Sequence, residues 1–153
     1  MEKISKHLSL AECIHSDTAN KLGISNIPTL AIKNNIKLLA EEVFEPIRER
    51  FNEPIYVSSV YRCRQLNNAL KGSVTSQHCL GEAMDIDMGD GNNPSNKDIF
   101  DYIKENLDFD QLIWEFGNKK NPSWVHVSYS RNGNRKQILK AVKVSNRTHY
   151  QIF

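Results

Sequence analysis

Gln111-Leu-Ile-Trp-Glu115-Phe-Gly-Asn-Lys-Lys-Asn-Pro-Ser-Trp124-Val-His126-Val-Ser-Tyr129 is the stretch on which the reading of the fold turns. Its two ends are rich in β-branched and aromatic residues and its middle is polar with Gly117 and Pro122, so it predicts two strands, 111–116 and 124–129, closed as a hairpin. Alternation then sorts the side chains. Leu112, Trp114 and Phe116 are expected to face one way and to meet Val125, Val127 and Tyr129 as an apolar layer. The opposite face carries Gln111, Ile113 and Glu115 beside Trp124, His126 and Ser128. Glu115 and His126 share that face only if directly opposed residues have numbers with an odd sum, as in 115 with 126 or 113 with 126; an even sum separates them.

Upstream, Ser9-Leu-Ala-Glu12 has the form of a capping box and should start a short helix. From about residue 29, Ile36, Leu39, Val43, Phe44, Ile47 and Phe51 recur at helical spacing, and Pro46 inside that pattern should kink the helix or end its first part near Glu45. Residues 54–61 read as a strand with Arg62 at its far end, residues 62–71 as a helix stopped by Gly72, and residues 83–88 as a second strand reached through a polar loop. The loop 89–94 precedes a helix over 95–107 with Ile99, Tyr102, Ile103 and Leu107 as its buried stripe. Downstream, Asn132-Gly133 is a strong turn signal leading to a last strand over 137–144. Helices first, then hairpin-joined strands with helices among them, predict an α+β fold with a mainly antiparallel sheet flanked by helices.

The length of 153 residues suits one domain, 1–153, with its own core. With 39% hydrophobic and 25% charged residues the composition is that of an ordinary globular chain. A net charge of +2 gives no footprint for nucleic acid, and no apolar run approaches the roughly 20 residues of a membrane helix. The first residues lack the apolar segment of a signal peptide, so the expectation is a monomer that is cytoplasmic on synthesis. Cys13, Cys63 and Cys79 are an odd set with no metal spacing and read as buried or idle thiols.

Catalytic zinc sites draw three protein ligands from His, Asp and Glu and leave a fourth position for water. Five histidines exist, His7, His15, His78, His126 and His149. His78 and Asp85 lie seven apart around Gly81, a spacing that lets a turn bring both to one ion, and Asp87 alternates with Asp85, so either aspartate qualifies as ligand or as support for one. Taken singly, each histidine is more often a packed or surface residue, and Glu115 alone is an ordinary strand carboxylate.

Ser76-Gln-His78-Cys-Leu-Gly81-Glu-Ala83-Met-Asp85 fits the pattern S-x-H-x-x-G-x-A-x-D and resembles the D-alanyl-D-alanine carboxypeptidase family of zinc peptidases. Val57-Ser-Ser-Val-Tyr61-Arg62 resembles that family's strand ending in Tyr-Arg, and the hairpin above resembles its closing hairpin, so the likeness runs from about residue 8 to 129. The branch it most resembles holds phage cell-wall endopeptidases and small peptidoglycan carboxypeptidases. The resemblance implies the fold shared by Hedgehog domains and D,D-peptidases, with His78, Asp85 and His126 holding one Zn²⁺ ion. Arg62 would clamp a substrate carboxylate or carbonyl, and Ser76, with Gln77 and Trp124, would contact substrate. Several relatives place the catalytic carboxylate three residues before the last His, where this chain has Ser123, so the base would be Glu115 or the chain is not catalytic.

The implied chemistry is hydrolysis of a peptidoglycan stem peptide by D,D-carboxypeptidase or L,D-endopeptidase action. Glu115 would take a proton from a zinc-activated water and return it to the leaving amine. A phage endolysin, acting on the wall after release, and a bacterial wall-remodelling enzyme both fit. The alternative is a catalytically inactive, zinc-stabilised binding or structural module of the same fold. A cysteine nucleophile at Cys79, next to His78, is weaker, because neighbouring side chains on a strand point apart.

Overall fold

In the computed structural model, which describes residues 1–153, the hairpin strands β3 (Gln111–Glu115) and β4 (Trp124–Ser128) pair with Ile113 opposite His126 and Glu115 opposite Trp124. The opposed numbers sum to an odd value, so Glu115 and His126 lie on one face as diagonal neighbours. Leu112, Trp114, Val125 and Val127 form the buried apolar layer on the other face. Phe116 departs from the expected pattern. Its φ of 55° ends the strand after Glu115, and its ring turns to the His126 side, where it meets Trp124 at 5.4 Å between centroids.

β1 (Val57–Ser59) and β2 (Ala83–Ile86) extend the sheet beyond β4, and β5 (Gln137–Val144) and β6 (Arg147–Ile152) extend it beyond β3, in the order β1-β2-β4-β3-β5-β6. All neighbours are antiparallel except β3 and β5. The sheet is therefore mainly antiparallel in an α+β arrangement. Both upstream strands are shorter than the expected 54–61 and 83–88, and Asp87 lies past the end of β2. There its Oδ1 accepts from the Gly89 N–H and from Asn96, so Asp87 is a turn residue and not a partner of Asp85. Two corrections concern the C-terminal part. The strand 137–144 runs parallel to β3 and does not form a hairpin with β4, whose outer edge β2 already occupies. A further strand, β6, follows through Ser145 and Asn146 at φ 51° and 63°.

The helices pack on the apolar face. α1 (Leu10–Ile14) starts with the capping box of Ser9 and Glu12, and α2 (Asp17–Leu22) follows. The helix does not end near Glu45 as the interior proline suggested: α3 (Leu30–Leu39) runs into a π-helical turn, Ala40–Phe44, and on without a break into α4 (Glu45–Phe51), with Pro46 in the first turn of α4. Ile36, Leu39, Val43, Phe44 and Ile47 from this run are fully buried against the sheet. α5 (Arg64–Ala69) is shorter than the expected 62–71. α6 (Asn96–Asn106) begins with a second capping box, Ser95 with Asp98, and buries Ile99, Phe100 and Ile103, while Tyr102 and Leu107 are only half-buried.

Candidate metal centre

His78 enters the site from a single 3₁₀ turn, Gln77–Leu80, placed between α5 and β2. Ser76 Oγ accepts from the His78 N–H at 3.3 Å, and Gly81 closes the turn at φ 70°. That conformation suits glycine, and a Cβ there would lie 2.8–2.9 Å from Ile36, from the Ile32 side chain and from the Ile32 carbonyl oxygen. The chain then enters β2, where Asp85 is the direct cross-strand partner of His126 on β4.

The three side chains converge. His78 Nδ1–H donates to the Val60 carbonyl at 2.7 Å, which leaves the lone pair on Nε2, 3.3 Å from Asp85 Oδ1. His126 Nδ1 lies 3.0 Å from the same oxygen, and the two imidazoles meet edge to face at 5.2 Å. One donor atom from each residue lies within 4.8 Å of the others. Donors around one tetrahedral zinc ion are separated by about 3.3 Å, so the residues present fit such an ion. The backbone carbonyl behind His78 is the outer partner that fixes a ligating imidazole. Burial opposes ionisation of Asp85, but when no ion is bound and both imidazoles are protonated the charge of His78 and hydrogen bonds from both rings outweigh it and hold this carboxyl well below its ordinary range.

Glu115 is 6% exposed on the same face. Burial is the largest influence and pushes its carboxyl up to about 7; Asp85 adds to the rise, while His126 and Arg62 oppose it. A cation held by the neighbouring triad would draw it down again. Arg62 follows β1 and is fastened by its own N–H to the His78 carbonyl. Its guanidinium reaches Ser59 Oγ at 3.1 Å, Asn67 Oδ1 at 3.4 Å and Asp85 Oδ2 at 3.4 Å. The buried Asn26 braces this segment, donating to the Ile14 and Tyr61 carbonyls and accepting from the Cys63 N–H.

These groups open into a cleft of about 700 Å³ that Ser76, Gln77 and Trp124 also line. His78, Asp85, His126, Glu115, Arg62, Ser76, Gln77 and Trp124 therefore border one cavity, while Asp87 lies outside it. Cys79 does not: it is buried in the 3₁₀ turn, not on a strand, and its thiol is pushed up mainly by burial, so a nucleophilic thiolate is disfavoured. His7 pairs with Glu45 and His15 with Asp17, both away from the cleft. Sequence reading missed the wall that the last two strands supply, Leu139, Thr148 and Tyr150, and also Arg135 at the rim. The alternation of residues 147–152 was the available signal for β6, but without a buried face it did not stand out.

Two histidines and an aspartate around one point, with a buried carboxylate on the same sheet face, are the arrangement of a metal-dependent hydrolase. Residues 6–128 match peptidase M15, and the chain belongs to the peptidase M15 family. Peptidases of this family are zinc-dependent. No curated protein matches the sequence.

Proposed function

We propose that this protein is a zinc metallopeptidase that hydrolyses peptide bonds of bacterial peptidoglycan, as a D,D-carboxypeptidase or an L,D-endopeptidase, the activity of phage endolysins and wall-remodelling enzymes. The observation that carries the reading is the convergence of His78, Asp85 and His126 in a cleft that also holds the buried Glu115. Those three residues would hold the zinc ion, which when bound supplies Lewis-acid polarisation of the scissile carbonyl and acidification of a water. Glu115 accepts the proton of the attacking water on a carboxylate oxygen and passes it to the leaving amine. The base must take and give a proton within one turnover, and at this position burial opposes its ionisation while a bound cation favours it. Ile113, Phe116 and Leu139 are apolar residues that line the same cleft as Glu115. The Arg62 fork beside Asp85 is a donor set for a stem-peptide carboxylate.

The test is metal content by mass spectrometry together with hydrolysis of purified muropeptides. One zinc per chain is expected in the wild type and a loss of zinc in His126→Ala. Glu115→Gln should keep its zinc and lose roughly 100-fold or more in rate, the typical contribution of a positioned general base. Unchanged hydrolysis in Glu115→Gln, or a chain that takes up no zinc, refutes the assignment. Sizing the products separates carboxypeptidase from endopeptidase action.

A further inference from the structure

β5 and β6 lie beyond residue 128, outside the stretch matched to the peptidase family, yet they complete one wall of the cleft. Trp124, Glu115, Ala141 and Tyr150 are successive partners across β4, β3, β5 and β6. Residues paired in this way project from one face of the sheet. Only the methyl group of Ala141, itself fully buried, stands between Tyr150 and Glu115 in that row. Two strand spacings, about 10 Å, separate β3 from β6, and a tyrosine leaning over an alanine spans much of that gap.

We propose that Tyr150 is a substrate contact of this cleft, its ring forming the wall beside Glu115 and its hydroxyl donating a hydrogen bond to a carbonyl oxygen of the bound peptide. This rests on the peptidase reading above. Three observations support it. Tyr150 borders the cleft with Thr148 but is 58% exposed, so its ring is not consumed by the core. Its hydroxyl has no hydrogen-bond partner within the chain, so the phenolic donor is free. The strand that carries it is anchored. β6 pairs with β5 at six positions, and Phe153 beyond it donates its N–H to the Ile138 carbonyl and packs its ring 5.5 Å from Phe100 and 5.6 Å from Trp114. A contact residue on a rigid strand is positioned before substrate arrives. His149 and Gln151, its neighbours on β6, project from the opposite face.

The experiment uses the full zinc-loaded chain and purified muropeptide. Tyr150→Phe is expected to raise KM by about 2- to 10-fold, the worth of one neutral hydrogen bond, with kcat changed less than about twofold. Tyr150→Ala should raise it by about 10-fold or more, because the ring contact is lost as well. His149→Ala should leave both constants unchanged. Calorimetric binding of the same muropeptide to Glu115→Gln should weaken by the same factor when Tyr150→Phe is added. In a chain that cleaves muropeptide, KM and Kd unmoved by both Tyr150 variants overturn the proposal and leave the peptidase reading standing. Loss of zinc or of folding stability in Tyr150→Phe would assign a structural role instead and also overturn it. A wild type that neither cleaves nor binds muropeptide removes the peptidase reading, and this inference with it.

Discussion

Gly81→Ala tests whether the turn between His78 and Asp85 is held by close packing or merely tolerated. Gly81 sits at φ 70°, and an added Cβ would stand 2.8 Å from Ile36 Cγ1, 2.9 Å from Ile32 Cγ2 and 2.9 Å from the Ile32 carbonyl oxygen. The left-handed conformation costs an alanine about 1–2 kcal/mol. The overpacking adds roughly 1–3 kcal/mol, since one of the three contacts is backbone and Ile36 is fully buried in the core. A stiffer unfolded chain returns about 0.4–1 kcal/mol. The net loss is about 2–4 kcal/mol, or roughly 5–12 °C in Tm for a domain of this size. Gly23 is the internal control: its φ is 65°, but nothing lies within 4 Å of its would-be Cβ, so Gly23→Ala carries only the conformational cost and should lose about 1 kcal/mol. Urea unfolding followed by the fluorescence of Trp114 and Trp124 reads both variants. Because the turn also sets the 3.3 Å approach of His78 to Asp85, Gly81→Ala should weaken zinc binding while Gly23→Ala does not. Equal losses in the two variants, with zinc affinity unchanged in both, would show that contact with Ile32 and Ile36 is not what fixes the turn.

Three further outcomes are expected. Removing zinc with a chelator should lower the thermal midpoint and restoring it should recover the loss, by about 2.7 kcal/mol when free zinc stands at 100 times its Kd; a midpoint indifferent to zinc argues against a bound ion. Asn96 is 2% exposed, accepts from the Met88 N–H and donates to Asp87 and to the Pro122 and Ser123 carbonyls, so Asn96→Ala strands several buried groups and should cost about 2–3 kcal/mol in urea unfolding. A cost below about 1 kcal/mol would mean that this clasp does not secure the β3–β4 connection. Glu45 and Asp110 should make the fold acid-sensitive. Burial raises Glu45, but hydrogen bonds from Ser5 and His7 prevail and lower it, and the Arg135 hydrogen bond lowers Asp110. Carboxyls depressed in the folded state stabilise it above their unfolded pKa and lose that contribution as pH falls through the folded value. The urea midpoint should therefore decline below about pH 4, less steeply in Glu45→Gln, and an unchanged slope in that variant would exclude the Ser5 and His7 contacts as the cause.

The site was legible where side-chain alternation had a buried face to report on. Leu112, Trp114, Val125 and Val127 lie on the apolar side, so parity alone put Glu115 and His126 together on the other, and the observed register agrees. The long helix was legible for a related reason, because its apolar stripe persisted through the π-helical turn and across Pro46. Phe116 escaped the pattern because one residue in the left-handed region reverses its side chain, and nothing in its own identity signals that.

The strand 137–144 was legible in its bounds, but its pairing and the strand that follows it were not, for a different reason that bears on the cleft. Asn132-Gly133 reads as a tight hairpin turn, but β4 already has β2 on one edge and β3 on the other, so no edge remains for a third partner. The chain instead crosses to the free edge of β3, pinned on the way by the Arg135 guanidinium on Asp110, and enters β5 in parallel. The hairpin turn in this region falls at Ser145-Asn146, where serine gives little sign of a positive φ. β6 then has every residue exposed, so no hydrophobic period betrays it. A strand with no buried face contributes little to the core, and its place at the sheet edge has to be explained by what it does there. On β6, alternate residues Thr148 and Tyr150 border the same cleft as the metal triad. A strand invisible to core-based reading is what results when residues are placed for a cavity instead of for packing.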